Sequence, residues 1–198
     1  GASPRIDRID QMTLEVEKRA VPGDSENVSC GPPIAGTEVR VMGEDGTVLP
    51  ERHVGELAVR SDYMLTAYYK RDDLNPFTPD GWYMTGDMGY IADGEIYVIG
   101  RKKDLIINAG KNVYPQDIEA IVNTVPGVKP GRAVVFGVPD EREGTELIAV
   151  VAEVTEDEPD ALKRSNKAIR QTVARQTTVT VNYVKLVDAK WLIKTSSG

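Results

Sequence analysis

The spacing of apolar and polar residues changes character once along this chain, close to residue 100. From about Val28 to Gly100 the two kinds alternate in short runs. Glu38-Val39-Arg40-Val41 and Glu56-Leu57-Ala58-Val59-Arg60 read as strands, with Gly43-Glu44-Asp45-Gly46 as a turn. Asp93-Gly94 is a tight-turn pair joining Gly89-Tyr90-Ile91 to Glu95–Ile99 as a hairpin. This half is predicted to be predominantly β.

After Arg101 helical spacing enters. Leu105-Ile106-Ile107 reads as a short strand and Asn108–Asn112 as a turn. Pro115 suits the first turn of a helix, and Asp117 and Glu119 suit its positive end. Ile118, Ile121, Val122 and Val125 share one face, and Pro126-Gly127 stops the helix. Strands follow over Arg132–Val138 and Glu146–Val154, separated by the charged turn Pro139–Gly144. A second helix is predicted over Pro159–Gln176, burying Leu162, Ser165, Ile169, Thr172 and Val173, and a last strand over Val181–Val187. The predicted fold is α+β, with a β-rich part over residues 1–101 and a small α+β domain over 102–198.

Composition narrows the function classes. The net charge of -7 argues against a general nucleic-acid binder. Runs such as Ala133–Phe136 and Leu147–Ala152 are too short to span a bilayer, and Gly1–Arg5 carries no signal-peptide core, so no stable membrane insertion is expected. Cys30 and His53 are the only residues of their types, which leaves no disulfide framework, cysteine metal cage or ready Ser-His triad. A reducing cytoplasm is the expected setting. Glu153, Glu156, Asp157, Glu158 and Asp160 read as a solvated acidic loop, and Arg101-Lys102-Lys103 as a basic turn at the domain boundary.

The candidate chemistry lies in Tyr83-Met84-Thr85-Gly86-Asp87 and Gly100-Arg101-Lys102-Lys103-Asp104. A carboxylate and a guanidinium on neighbouring turns can grip a diol such as a ribose, Asp87 accepting from hydroxyls and Arg101 donating to them. These runs resemble motifs of the adenylate-forming superfamily, which includes acyl-CoA synthetases, fatty acyl-AMP ligases, luciferases and peptide-synthetase adenylation domains. Gly55–Arg60 with Tyr68-Tyr69 resembles its Gly-Glu-Leu element, although Ala67 stands where glycine is usual. Gly100–Glu119 resembles its hinge and first lid helix, and Lys194-Thr195-Ser196-Ser197-Gly198 its final motif, whose lysine is expected to follow Gly198. Four matches in chain order are far more specific than one.

The resemblance implies roles position by position. Asp87 and Arg101 match the pair that holds the ribose of ATP and of the acyl-adenylate. Lys103 matches the hinge about which the small domain turns between an adenylating and a thiol-transfer pose, and Gly110 opens the loop on the acceptor side. Read from the residues alone, Gly110 is equally a plain turn glycine. Lys102 and Asp104 read as solvated neighbours, Trp82 and Tyr83 as core, and Trp191 as an anchor for the tail. No catalytic residue is expected within these positions.

The chain is thus expected to be the β-rich end of a large adenylation domain followed by a lid domain. The parent would be an acid–thiol ligase using ATP and Mg2+, whose metal-binding region lies upstream. Its substrates would be a fatty acid or another carboxylate and the phosphopantetheine of an acyl-carrier protein. Tyr114–Glu119 and Val128–Arg132 resemble fatty acyl-AMP ligases most. The alternatives are an acyl-CoA synthetase delivering to CoA, and a lid or interaction module without catalysis of its own. These 198 residues alone are expected to be inactive.

Overall fold

The computed structural model describes residues 4–62 and 76–192. Tyr68-Tyr69 and Lys194–Gly198 of the motifs above lie outside these residues. The chain divides into two compact units, Gly1–Lys103 and Asp104–Gly198.

The first unit is built on an antiparallel sheet of β3 (Thr37–Met42), β4 (Val48–Leu49), β5 (Gly55–Ser61), β6 (Tyr83–Ala92) and β7 (Glu95–Arg101), in the order β4-β3-β5-β6-β7. Asp93 (φ 51) and Gly94 (φ 75) form the hairpin between β6 and β7, as the Asp-Gly pair predicts. Residues before Val28, which the pattern leaves unassigned, form a ribbon of β1 (Ile6–Ile9) and β2 (Ser25–Val28) with the helix α1 (Gln11–Glu17) between. Asp10 caps α1 by accepting from the Thr13 N–H at 2.8 Å. Only Leu14 and Glu15 of its seven residues are buried, so there is little apolar stripe to read. Asp7 joins ribbon and sheet by accepting from the Tyr90 hydroxyl at 2.9 Å and pairing with Arg52 at 3.2 Å. Trp82 is in the core, as expected, with the guanidiniums of Arg40 and Arg60 at 4.1 and 4.6 Å from its ring centroid.

The second unit packs two helices with a sheet of β10 (Val128–Asp140), β11 (Thr145–Val154) and β12 (Val181–Val187). β10 and β11 are antiparallel; β11 and β12 are parallel, which requires a crossover, supplied by α3 (Pro159–Gln176). The buried stripe of α3 is Ala161, Ser165, Ile169 and Val173; Leu162 and Thr172, expected inside, flank it half-buried. The other helix, α2, runs Pro115–Val122, ending before the expected Val125. Its chain then tightens to i→i−3 bonds, Thr124 N–H to Ile121 and Val125 N–H to Val122, which keeps Val125 buried. The expected turn at Asn108–Asn112 is shorter: Ile106–Asn108 (β8) and Lys111–Val113 (β9) pair as a hairpin around Ala109 and Gly110. Ile106, Ile118, Val122, Val150 and Ile169 meet in one core with their neighbours.

Glu153 overturns its expected place in a solvated loop. It lies in β11 at 2% exposure, accepts from the Leu192 N–H at 2.9 Å, and has Arg132 Nε at 3.9 Å. Burial pushes its carboxyl up, but the N–H groups of Leu192 and Lys190, with Arg132 and Lys129, outweigh burial and hold it below the ordinary glutamate range. Trp191 is 61% exposed, so its ring does not anchor the tail. The carboxylate of Glu153 and the Arg132 guanidinium, which donates to the Leu192 carbonyl at 3.0 Å, hold that segment instead.

Candidate nucleotide site

The register between β5 and β6 breaks at the candidate residues. Glu56 faces Met88 and Ala58 faces Met84, so Leu57 alone stands opposite Thr85, Gly86 and Asp87. The surplus residues bulge from the ladder. Gly86 takes φ +75 there, in the left-handed region that glycine enters without strain.

Side chains replace the ladder's restraints within this bulge. The Thr85 hydroxyl donates to the Leu57 carbonyl at 2.8 Å and accepts from the Asp87 N–H at 3.0 Å. Glu56, whose side chain is only 11% exposed, accepts from the Gly86 N–H at 3.1 Å. The loop that presents Asp87 is therefore held at three consecutive residues.

Asp87 and Arg101 are direct partners across β6 and β7, with Arg101 Nε 3.0 Å from Asp87 Oδ1. Their side chains are 29% and 57% exposed, open to an incoming group. A pair this exposed contributes only about 0–1 kcal/mol to folding, so structural fastening explains it poorly. Acceptor oxygens beside a guanidinium suit the hydroxyls of a ribose.

The remaining predicted positions are spread along the chain. Lys103 is exposed within a 3-10 turn, Lys102–Asp104, and is the last residue of the first unit. Gly110 (φ 80) follows Ala109 (φ 49) in the hairpin of the second unit, where two residues with positive φ make the tight turn. That geometry alone accounts for a glycine at 110. Lys102 is exposed, as expected, and its ammonium also lies 2.6 Å from Glu56 Oε2. Glu56 is the residue that reading the sequence missed. Its place in the Gly-Glu-Leu run was the available signal, but its partners are 30 and 46 positions away.

The family profile described as AMP-binding enzyme C-terminal domain matches residues 110–197. A solved structure from work on fatty acyl-adenylate ligases of E. coli and L. pneumophila superposes with a TM-score of 0.85 and 28% identity, covering 98% of this chain and 35% of that one. The chain belongs to the adenylate-forming superfamily. Among relatives of this adenylate-forming chain, the long-chain-fatty-acid–CoA ligase FadD13 of Mycobacterium tuberculosis is 43% identical over 117 residues, 58% of this chain and 23% of that protein. The fatty acid–[acyl-carrier-protein] ligase ScoC of Streptomyces coeruleorubidus is 38% identical over 141 residues, 70% of this chain and 27% of that protein. Two relatives that match nearly all of the chain are spanned over 36% and 37% of their own length. Among the described residues, no helix is long and apolar enough to cross a membrane.

Proposed function

We propose that this chain is the carboxy-terminal part of an ATP-dependent fatty acyl-AMP ligase. The observation that carries the reading is the Asp87–Arg101 pair, presented by a bulge whose every residue is tied down. Asp87 accepts from the ribose hydroxyls of ATP while Arg101 donates to them. A carboxylate oxygen of the fatty acid attacks the α-phosphorus, the bond to the bridging oxygen breaks, and pyrophosphate leaves with that electron pair. The thiolate of a phosphopantetheine arm then attacks the acyl carbonyl, and AMP departs. Ribose contacts held through both steps keep the adenylate in register, which is catalysis by positioning.

Magnesium is proposed to enter bound through the nucleotide's phosphates, with its protein ligands upstream of these residues. Lys103 is proposed as the hinge between an adenylating and a transferring pose, and the Gly110 turn as a contact on the acceptor side. The parts are proposed to be residues 1–101 of a large domain and 102–198 of a lid. The exposed thiol of Cys30 suits a reducing cytoplasm.

The second reading, an acyl-CoA synthetase, draws on the likeness to FadD13 at 43% identity. One assay separates them in the full-length enzyme. Fatty-acid-dependent ATP–pyrophosphate exchange should be present, and the acyl group should pass to a phosphopantetheinylated carrier offered beside CoA. Efficient acyl-CoA formation without a carrier would favour the synthetase, and no acid-dependent exchange would overturn both.

A further inference from the structure

We infer that Glu56 and Lys102 form a positioning pair for nucleotide binding, in which one carboxylate braces both strands that present Asp87 and Arg101. The inference rests on the ATP-binding reading above. Glu56 leaves β5 with its side chain 11% exposed, and a carboxylate so buried needs partners for both oxygens. The oxygens are divided: Oε1 accepts from the Gly86 N–H at 3.1 Å, and Oε2 meets the Lys102 ammonium at 2.6 Å. Gly86 immediately precedes Asp87, and Lys102 immediately follows Arg101. The carboxylate thus joins β6 and the end of β7 directly beside the Asp87–Arg101 pair.

The arrangement has two separable halves. The bond to Gly86 holds the bulge, which has left the β5 register and has φ +75 at its centre. The ion pair to Lys102 holds the first residue of the 3-10 turn that ends the unit. Glu56→Ala removes both halves. Glu56→Gln keeps an acceptor for Gly86 and removes the charge opposite Lys102. Lys102→Met leaves the Gly86 bond and removes the ammonium.

Amide hydrogen exchange in the 198-residue chain tests the first half. Gly86 protection should fall about tenfold in Glu56→Ala and stay within about threefold of the parent in Glu56→Gln and Lys102→Met. In the full-length enzyme, KM for ATP should rise about tenfold in Glu56→Ala and about threefold in each of the other variants, with KM for the fatty acid unchanged. The double variant Glu56→Gln, Lys102→Met should be no worse than either single change, because both remove one interaction. Unchanged Gly86 exchange in Glu56→Ala, equal rises in both KM values, or additive losses in the double variant would each overturn the pair's role. If the unsubstituted enzyme lacks ATP–pyrophosphate exchange, the ligase reading fails, while Gly86 exchange still decides whether Glu56 braces the bulge.

Discussion

Two carboxylates show how differently one residue type is used here. Asp87 stands open beside Arg101, whereas Glu153 is enclosed in β11. In the full-length enzyme Asp87→Ala should lower kcat/KM for ATP by about ten- to a hundredfold, the loss of a charge-assisted ribose contact worth about 1.5–3 kcal/mol. Steady-state kinetics check this, and unchanged values would remove Asp87 from the site. Glu153 makes a prediction about pH. Its carboxyl is held down in the folded chain, so its contribution is fully present above the unfolded value and is lost as pH falls through the lower folded value. The Leu192 amide resonance should therefore titrate below the ordinary glutamate range, and Glu153→Gln should abolish that inflection. An inflection at or above the ordinary range would contradict the clamp.

At the scale of elements, α3 separates what lines its face from what only borders it. Ile169 is fully buried in the core of the second unit, and Leu162 is half-buried at the stripe's edge. Ile169→Ala should destabilise that unit by about 2–5 kcal/mol, because the neighbours close only partly over the cavity. Leu162→Ala should cost clearly less. Urea unfolding of both variants measures the difference, and equal losses would show that the helix face is assigned wrongly. The β5–β6 bulge makes the complementary point. Its two surplus residues break the ladder, and the Thr85 hydroxyl and Glu56 carboxylate restore the lost restraint.

For the molecule as a whole, the proposed function assigns two half-reactions to two units. The chain divides after Lys103, inside an exposed 3-10 turn. Proline there fixes φ near the value such a turn already uses, and resists rotation away from it. In the full-length enzyme Lys103→Pro should spare one half-reaction and depress the other. Single-turnover assays of adenylate formation and thiol transfer read the two separately. Equal loss of both would indicate misfolding, and equal retention would move the hinge elsewhere.

Much of this protein is set by local pattern. Alternation marks β3 and β5, Asp93-Gly94 marks the β6–β7 hairpin, Pro115 and Pro126-Gly127 bracket α2, and Pro159 opens α3, because these signals act over a few residues. The bounds of α3 and of β12 are those that the spacing predicts. The candidate pair Asp87–Arg101 was legible too, since a single hairpin brings its two strands into register. What the sequence by itself could not determine is which charges go inside. Glu153 looked like its acidic neighbours downstream, and Glu56 like any polar position on an alternating strand. Their burial depends on an N–H or ammonium arriving from 30 to 46 positions away, and spacing within a short window carries no trace of such partners. The ribbon of β1 and β2, whose strands pair across α1, was not legible in the pattern either. A buried charge is stable only where tertiary structure supplies its partner, so the fold alone decided the inner side of this site.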